Sequence, residues 1–407
     1  MMISVEEARA RILGAFAPLP PETVAVTAAL GRVLAADLIA RVTQPPKDVS
    51  AMDGYALRSA DVERLPATLE VVAEIPAGQS YAAPLQAGQA ARIFTGAPLP
   101  AGADCIVIQE DTEAANGKVT VKAAPPPGKW IRKAGLDFSA GETGLTAGRL
   151  LGVRDLAFAA AMNHPWLPVR RRARIAILAT GDEVVMPGEP LAENQIVSSN
   201  GIALAAFVEA CGGEAVNLGI ARDDRDSLER LAKGAEGMDL LVTSGGASVG
   251  EHDLIRQVLG GQGLELDFWK IAMRPGKPVM FGQLRGTPLL GLPGNPVSTL
   301  VCALIFLRPV LDCMHGVAEA AAPLERVVLG SGLDANDRRQ DYLRARLIRD
   351  ESGRERAEPF SRQDSSMLSR LARADCLIVR APHAAAVDPG QEVDIIRLVQ
   401  AAQTTFL

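Results

Sequence analysis

Thr243-Ser-Gly-Gly-Ala-Ser-Val-Gly-Glu-His-Asp253 carries the densest chemistry in the chain. The apolar run Met238–Val242 precedes it, and Asp253–Leu259 follows with helical spacing. A hydroxyl- and glycine-rich loop between strand and helix suits an anionic ligand. Gly245 and Gly246 let the backbone approach, Thr243 and Ser244 offer hydroxyls, and the helix start offers free N–H groups. Asp253 repels an anion there, and a carboxylate beside bound phosphate more often holds a divalent cation. A tight strand-to-helix turn would explain the same pattern without a ligand. His252 reads as structural.

Thr180-Gly-Asp-Glu183 follows another apolar run and places two acids where magnesium takes carboxylates plus phosphate oxygens; a solvated turn is the alternative. Trp269-Lys-Ile-Ala-Met-Arg-Pro-Gly-Lys-Pro278 brings three cations, Lys270, Arg274 and Lys277, around a Pro-Gly turn. That loop suits an oxyanion, or is a charged hairpin surface. Gly291-Leu-Pro-Gly-Asn-Pro-Val-Ser298 is rigidified by Pro293 and Pro296, and Asn295 and Ser298 can cap a helix or meet a ligand. Ser50–Ala56 and Arg92–Pro98 are turn-like segments holding Asp53 and Thr95, while Arg132 and Asp137 flank Lys133–Leu136 as a possible surface ion pair. His164 reads as a packed turn histidine. No Ser-His-Asp or Cys-His set has support, which argues against covalent nucleophilic catalysis.

The elements that must position these residues fall into blocks. Ser4-Val-Glu-Glu7 is a capping box, and Val5, Ala8, Ile12 and Phe16 continue it as a helix ended by Pro18. Val24–Ala40 is expected to be a second, Ala- and Leu-rich helix. Residues 45–148 lose helical spacing and read as β-rich, with strands at Ile106–Ile108 and Val119–Val121, the latter after an Asn116-Gly117 turn. Residues 152–162 are helical again. From Arg174 the chain alternates. Strands are expected at 174–179, 216–220, 238–242 and 288–291, and helices at 200–211, 226–233, 253–259 and 297–313. That alternation predicts a parallel sheet covered on both faces, with ligands at the carboxyl ends of the strands. After Gly316 strand-like runs at 343–348, 377–380 and 393–399 suggest a small β domain. The expected division is 1–44 with 149–172 (helical, linking), 45–148 (β-rich), 173–318 (α/β) and 319–407 (C-terminal β).

Bulk properties exclude several classes. The 407 residues imply more than one domain. A balance of 42 basic and 48 acidic residues, net −6, argues against nucleic-acid or membrane-surface binding. At 4% aromatic content, base-stacking platforms are not expected. Five cysteines without a CxxC pair read as reduced thiols of a cytoplasmic protein, and four histidines outside ligand spacing give no zinc site. The acidic start lacks the apolar region of a signal peptide, and the longest apolar run, Thr299–Leu307, falls short of the roughly 20 residues a membrane span needs. It reads as a buried helix.

Taken in order, Ser-Ala-Met-Asp-Gly-Tyr-Ala, Phe-Thr-Gly-Ala-Pro, Thr-Gly-Asp-Glu, Thr-Ser-Gly-Gly-x-Ser-Val-Gly, Arg-Pro-Gly-Lys-Pro and Gly-Leu-Pro-Gly-Asn-Pro cover nearly the whole chain. This series resembles the molybdopterin molybdenumtransferase family, which includes the C-terminal region of gephyrin. The resemblance implies a multidomain α/β protein that inserts molybdate into adenylylated molybdopterin. Magnesium-dependent cleavage of the adenylate would release AMP and leave molybdenum cofactor. It implies an elongated homodimer, each active site lying between the α/β domain of one subunit and the β-rich domain of the other. Family-like positions map to Asp53, Thr95, Asp137, Glu183 and Asp253 as acidic and hydroxyl groups. Arg132, Lys270, Arg274 and Lys277 match the cations, Pro293 and Pro296 the rigid loop, and Ser365 or Ser366 a C-terminal serine. Glu183 and Asp253 are the expected magnesium carboxylates; Thr243, Ser244, Gly245 and Gly246 would cradle the terminal phosphate. Molybdopterin adenylyltransferase and molybdoenzymes or their chaperones are the expected partners. Two departures stand out: Arg274 replaces a lysine of some relatives, and Asp364 replaces a common glycine. Two other readings share the α/β unit, namely a molybdopterin adenylyltransferase and a non-catalytic scaffold.

Overall fold

The computed structural model describes residues 2–123, 125–245, 263–318, 324–351 and 353–398. Gly246, His252, Asp253 and the helix expected at 253–259 lie outside them.

The first helix, Val5–Gly14, starts as its sequence predicts. Ser4 Oγ accepts the Glu7 N–H at 3.0 Å, and Val5, Ala8 and Ile12 turn into the main core. The second expected helix, Val24–Ala40, does not form. The chain there is a strand, Pro21–Ala25, then a single turn Val26–Ala28, then extended backbone. Pro21–Ala25 pairs antiparallel with Trp166–Arg170, and Leu38–Ile39 with Thr143–Leu145. Leu34 N donates to Arg149 O and Ala40 N to Glu142 O, so backbone groups that a helix would pair internally find partners over 100 residues away. The apolar spacing is still satisfied, because Ala29, Val33, Leu34, Leu38 and Ala40 are all buried. Long-range pairing outweighs the local helix preference of alanine and leucine.

The next segment forms a six-stranded sheet in the order Cys105–Ile108, Gly54–Leu57, Gln89–Ile93, Ala67–Ile75, Lys118–Val121, Thr112–Ala115. Asn116 and Gly117, with φ of 51° and 73°, close the last hairpin, as the Asn-Gly pair predicts. Residues Val153–Ala161 return as a helix.

The α/β unit is built on four parallel strands, Glu214–Ala221, Arg174–Thr180, Leu240–Ser244 and Thr287–Leu292. Two further strands the spacing does not announce, Met280–Leu284 and Leu264–Phe268, extend one edge antiparallel. Alternate residues of Arg174–Thr180 serve the two faces. Ile175 and Ile177 pack with Val301, Phe306 and Val310 of the long helix, while Ala176 and Leu178 pack with Leu228 and Ala232. Both faces are therefore covered, which is why the strands read as unbroken apolar runs. The long helix, Pro296–His315, is 20 residues and apolar enough to cross a membrane by length and composition, yet most of it is buried inside the protein. Beyond it, Gln340–Arg349, Glu355–Pro359, Glu325–Leu329, Glu392–Arg397 and Cys376–Arg380 close into a ring, since the first also pairs with the last. Met273–Arg274 of the α/β unit adds to that ring beside Gln340–Asp341. All five cysteines are free thiols.

His315, at the C-terminal end of the long helix, is buried, and its Nε2 accepts the Ala173 N–H at 3.2 Å. Burial, helped by the positive fields of Arg32, Arg172 and Arg308 and opposed by Asp239, pushes its pKa down to about 4. The unfolded chain therefore takes up the proton more readily than the native one. Stability from this residue is complete above pH 6.5 and is lost as pH falls from there towards 4, by about 2–3 kcal/mol. Urea unfolding at pH 7 and pH 4.5 checks this. The wild-type loss should exceed that of His315→Gln by this amount, and an equal loss in both would refute the assignment.

Candidate functional site

A cavity of about 840 Å³ opens where Arg174–Thr180, Leu240–Ser244 and Thr287–Leu292 end. This is where a doubly covered parallel sheet leaves backbone and loop side chains free. Of the residues singled out in the sequence, Glu183, Ser244, Gly245, Arg274, Lys277, Pro293, Asn295, Pro296, Ser298, Ser365 and Ser366 line it.

Its loops are tied together by short polar contacts. Asn200 Nδ2 donates to Ser244 Oγ at 2.8 Å and to Gly294 O at 2.7 Å, which joins three strand-end loops. Asn295 does not cap the long helix; its amide donates to Ser365 Oγ at 2.8 Å and so seats the C-terminal domain on the Pro293–Pro296 loop. Arg344, almost fully buried, donates to Asp364 O and holds the turn that presents Ser365. The helix Asn200–Ala210 also begins at the cavity wall, with Ser199 making no side-chain cap. Two helix starts thus border one space, and their dipoles favour negative charge there, although Pro296 has no N–H and the Val297 N–H already donates to Ser365 O.

The three cations behave differently. Arg274 is held by Asp341, through Nε at 3.0 Å and a shorter Nη2 contact, and lies 3.6 Å from Asp337. It straps the cationic loop to the C-terminal ring. Lys270 stands over the Trp269 ring at 4.6 Å and does not line the cavity. Lys277 lines the cavity and makes no ion pair among the described residues. Arg339 also lines it, but is paired with Asp337, whose carboxyl it holds far below the usual range. Among the described residues, Lys277 is therefore the cation available to an anionic ligand.

The sequence reading passed over Ser198, Ser199, Asn200, Asp223 and Arg339, all in the cavity wall, and took Thr180 only as the start of the acidic loop. Ser198-Ser-Asn200 before a helical run was a legible capping signal; Arg339 left none. Among the described residues no three His, Cys, Asp or Glu side chains cluster as a metal cage. Among the described residues, Glu183 and Asp223 are the carboxylates facing the cavity. Two carboxylates suit magnesium, which keeps waters and takes its remaining oxygens from phosphates.

Thr180 Oγ1 and Thr243 Oγ1 are buried without hydrogen-bond partners. Gly245, at φ +93°, sits directly over Thr180: a Cβ there would fall 2.6 Å from Thr180 O. An orphaned buried hydroxyl is costly, so Thr180→Val and Thr243→Val should each stabilise the free protein by about 1 kcal/mol in denaturant titrations. Destabilisation by a similar amount would mean that these hydroxyls are satisfied.

Asp53, Thr95, Arg132 and Asp137 lie elsewhere, in or beside the β-rich sheet. Asp53 accepts both the N–H and the hydroxyl of Thr95 at 2.8 Å, and these two bonds hold its carboxyl below the ordinary range. Arg132 and Asp137 form no ion pair with each other. They line a second cavity of about 790 Å³ with Lys47, Gln79 and Ser80. Among the described residues, none lines both cavities. His164 is buried, its Nε2 2.8 Å from Ile39 O, a packing role as expected.

Comparison with known proteins follows this division. A family described as "MoeA N-terminal region (domain I and II)" matches residues 3–163, "Probable molybdopterin binding domain" matches 176–312, and "MoeA C-terminal region (domain IV)" matches 326–398. A molybdopterin molybdenumtransferase of Nostoc sp. is 37% identical over 93% of this chain and 88% of that protein. One of Haemophilus influenzae is 32% identical over 97% and 98%. A crystal structure of a molybdopterin biosynthesis MoeA protein from Pyrococcus horikoshii superposes with a TM-score of 0.84 at 32% identity, covering 97% of this chain and 98% of that one. With matched domains in the same order along nearly its whole length, the chain belongs to the MoeA family of molybdopterin molybdenumtransferases.

Proposed function

We propose that this protein inserts molybdate into adenylylated molybdopterin, releasing AMP and forming molybdenum cofactor. The observation that carries this reading is the 840 Å³ cavity, where Lys277, unpaired among the described residues, two helix starts, Ser244 and Gly245 face one space. Substrate and molybdate are both anions, and bringing them together needs positive potential to offset their repulsion. Lys277 and the helix starts supply it, Arg274 fixes the loop that carries Lys277, and Ser365 closes the wall. Glu183 and Asp253 hold magnesium in this reading, with Asp223 a further oxygen donor. The metal, when bound, neutralises phosphate charge during cleavage of the adenylate.

Arg132 and Asp137 line a different cavity of the same chain, and the bonded Asp53–Thr95 pair lies in the β-rich sheet away from the first cavity, which supports a homodimer in which the partner's β-rich domain completes each site. The proposed division of the chain is 1–44 with 149–172, 45–148, 173–318 and 319–407. The joining of 1–44 to 149–172 is supported by the pairing of Pro21–Ala25 with Trp166–Arg170. Free thiols throughout support a cytoplasmic setting, where a molybdopterin adenylyltransferase would supply the substrate and molybdoenzymes or their chaperones take the product.

Purified protein with adenylylated molybdopterin, magnesium and molybdate should release AMP only when molybdate is present, and should restore a cofactor-free molybdoenzyme. Binding without AMP release would favour the scaffold, and formation of the adenylate from ATP would favour the adenylyltransferase. Shared sites give a second result. Asp53→Ala and Lys277→Ala homodimers should each be inactive, yet unfolding and refolding them together should recover about a quarter of wild-type activity, because half the dimers are mixed and each carries one intact site. No recovery would place both halves of the site in one chain.

A further inference from the structure

A third cavity, of about 610 Å³, lies at the far end of the α/β unit. The helices Asn200–Ala210 and Pro296–His315 both start at the first cavity and end at this one. The long helix alone spans about 30 Å, so the two spaces are well separated.

His315 forms part of its wall and is only 6% exposed. A backbone N–H can only donate, so the Ala173 N–H fixes His315 Nε2 as the acceptor. The imidazole proton is then on Nδ1. Among the described residues Nδ1–H has no acceptor. Gly212, whose Cβ would stand 3.9 Å from Nδ1, leaves the space above the ring open.

The second donor is Arg172. Four arginines fall at 170, 171, 172 and 174, and three have structural partners. Arg170 donates to Leu19 O, Arg171 grips Asp239 with two hydrogen bonds, and Arg174 faces Glu214. Arg172 lines the cavity with no side-chain partner among the described residues. Arg308, also in the wall, is balanced by Asp312. Helix C-termini disfavour anions, but N–H groups of Gly212 and Gly213, and of Gly316 and Val317, already meet their last carbonyls. Glu209 on the wall limits the charge that fits, so a compact oxyanion suits the place better than a polyanion.

We propose that this cavity is a separate ligand site, which binds a phosphate or carboxylate group through His315 Nδ1–H and the Arg172 guanidinium. It is independent of the metal-insertion reading. The chain has four histidines, so their ring C–H resonances can be followed individually. Inorganic phosphate and acetate are the two probes, added separately to the full-length protein at constant pH and ionic strength. The His315 resonance should shift saturably with at least one of them, while those of His164 and His383 stay in place. Arg172→Gln should weaken that binding at least about tenfold, and Arg172→Lys should recover part of it. Saturation by phosphate alone assigns the site to phosphate esters; saturation by acetate assigns it to carboxylates. Absence of a saturable His315 shift with either probe, or equal affinity in Arg172→Gln, overturns the proposal. AMP release by the same samples reports on the first cavity, so either reading can fail without the other.

Discussion

Lys277→Ala is expected to lower kcat/KM for molybdate insertion by about 10²–10³-fold without changing the unfolding midpoint. The magnitude is that of removing one preorganised charge donor from a water-poor site. The direction follows from how the neighbouring cations are used. Arg274 is consumed by Asp341 and Asp337, Arg339 by Asp337, and Lys270 lies outside the cavity against Trp269. None of the three can move to replace Lys277 without giving up a partner. Lys277→Arg should retain part of the activity, because charge is kept while reach and geometry change. Arg274→Ala should instead act through structure, loosening the C-terminal ring and leaving Asp341 buried without its cation. Initial rates of AMP release with denaturation curves for the three variants separate these effects. A Lys277→Ala enzyme within threefold of wild type would remove Lys277 from the reacting groups.

Gly54→Ala is expected to cost about 3 kcal/mol or more, the largest stability loss that one added methyl should cause here. Gly54 begins the strand between Gln89–Ile93 and Cys105–Ile108, and a Cβ on it would stand 2.0 Å from Val107 O. Val107 is fully buried in the edge strand and pairs with Tyr55, so relief requires displacing that strand from its packed neighbour. Asp53 precedes Gly54, so any shift also disturbs its bonds to Thr95. Activity should fall with stability. Chemical unfolding read by far-ultraviolet circular dichroism tests this, and an unchanged midpoint would mean that the strand yields more easily than its packing implies.

Several features were legible from residue order because their causes are local. Ser4 and Glu7 mark a helix start through one hydrogen bond between near neighbours. Asn116-Gly117 marks a hairpin because two residues at positive φ are needed there. Alternating apolar runs from Arg174 reveal strands buried on both faces, and the series of motifs reveals the family. The helix expected at Val24–Ala40 failed for the opposite reason. Its composition favours helix, but its hydrogen bonds go to residues 142–170, and no nearby residue signals that pairing. The same holds at the site. The Arg-Pro-Gly-Lys turn shows that Arg274 and Lys277 are close, but the division of labour between them depends on Asp341, which lies 67 residues beyond Arg274 and arrives with another domain. Likewise, no spacing rule separates Asp137 from Lys277 into different cavities. Residue types and local periodicity set which elements form and which chemistry is on hand. Which charges remain unpaired, and which groups share a cavity, depends on contacts between distant segments, and those exist only once the chain has closed on itself.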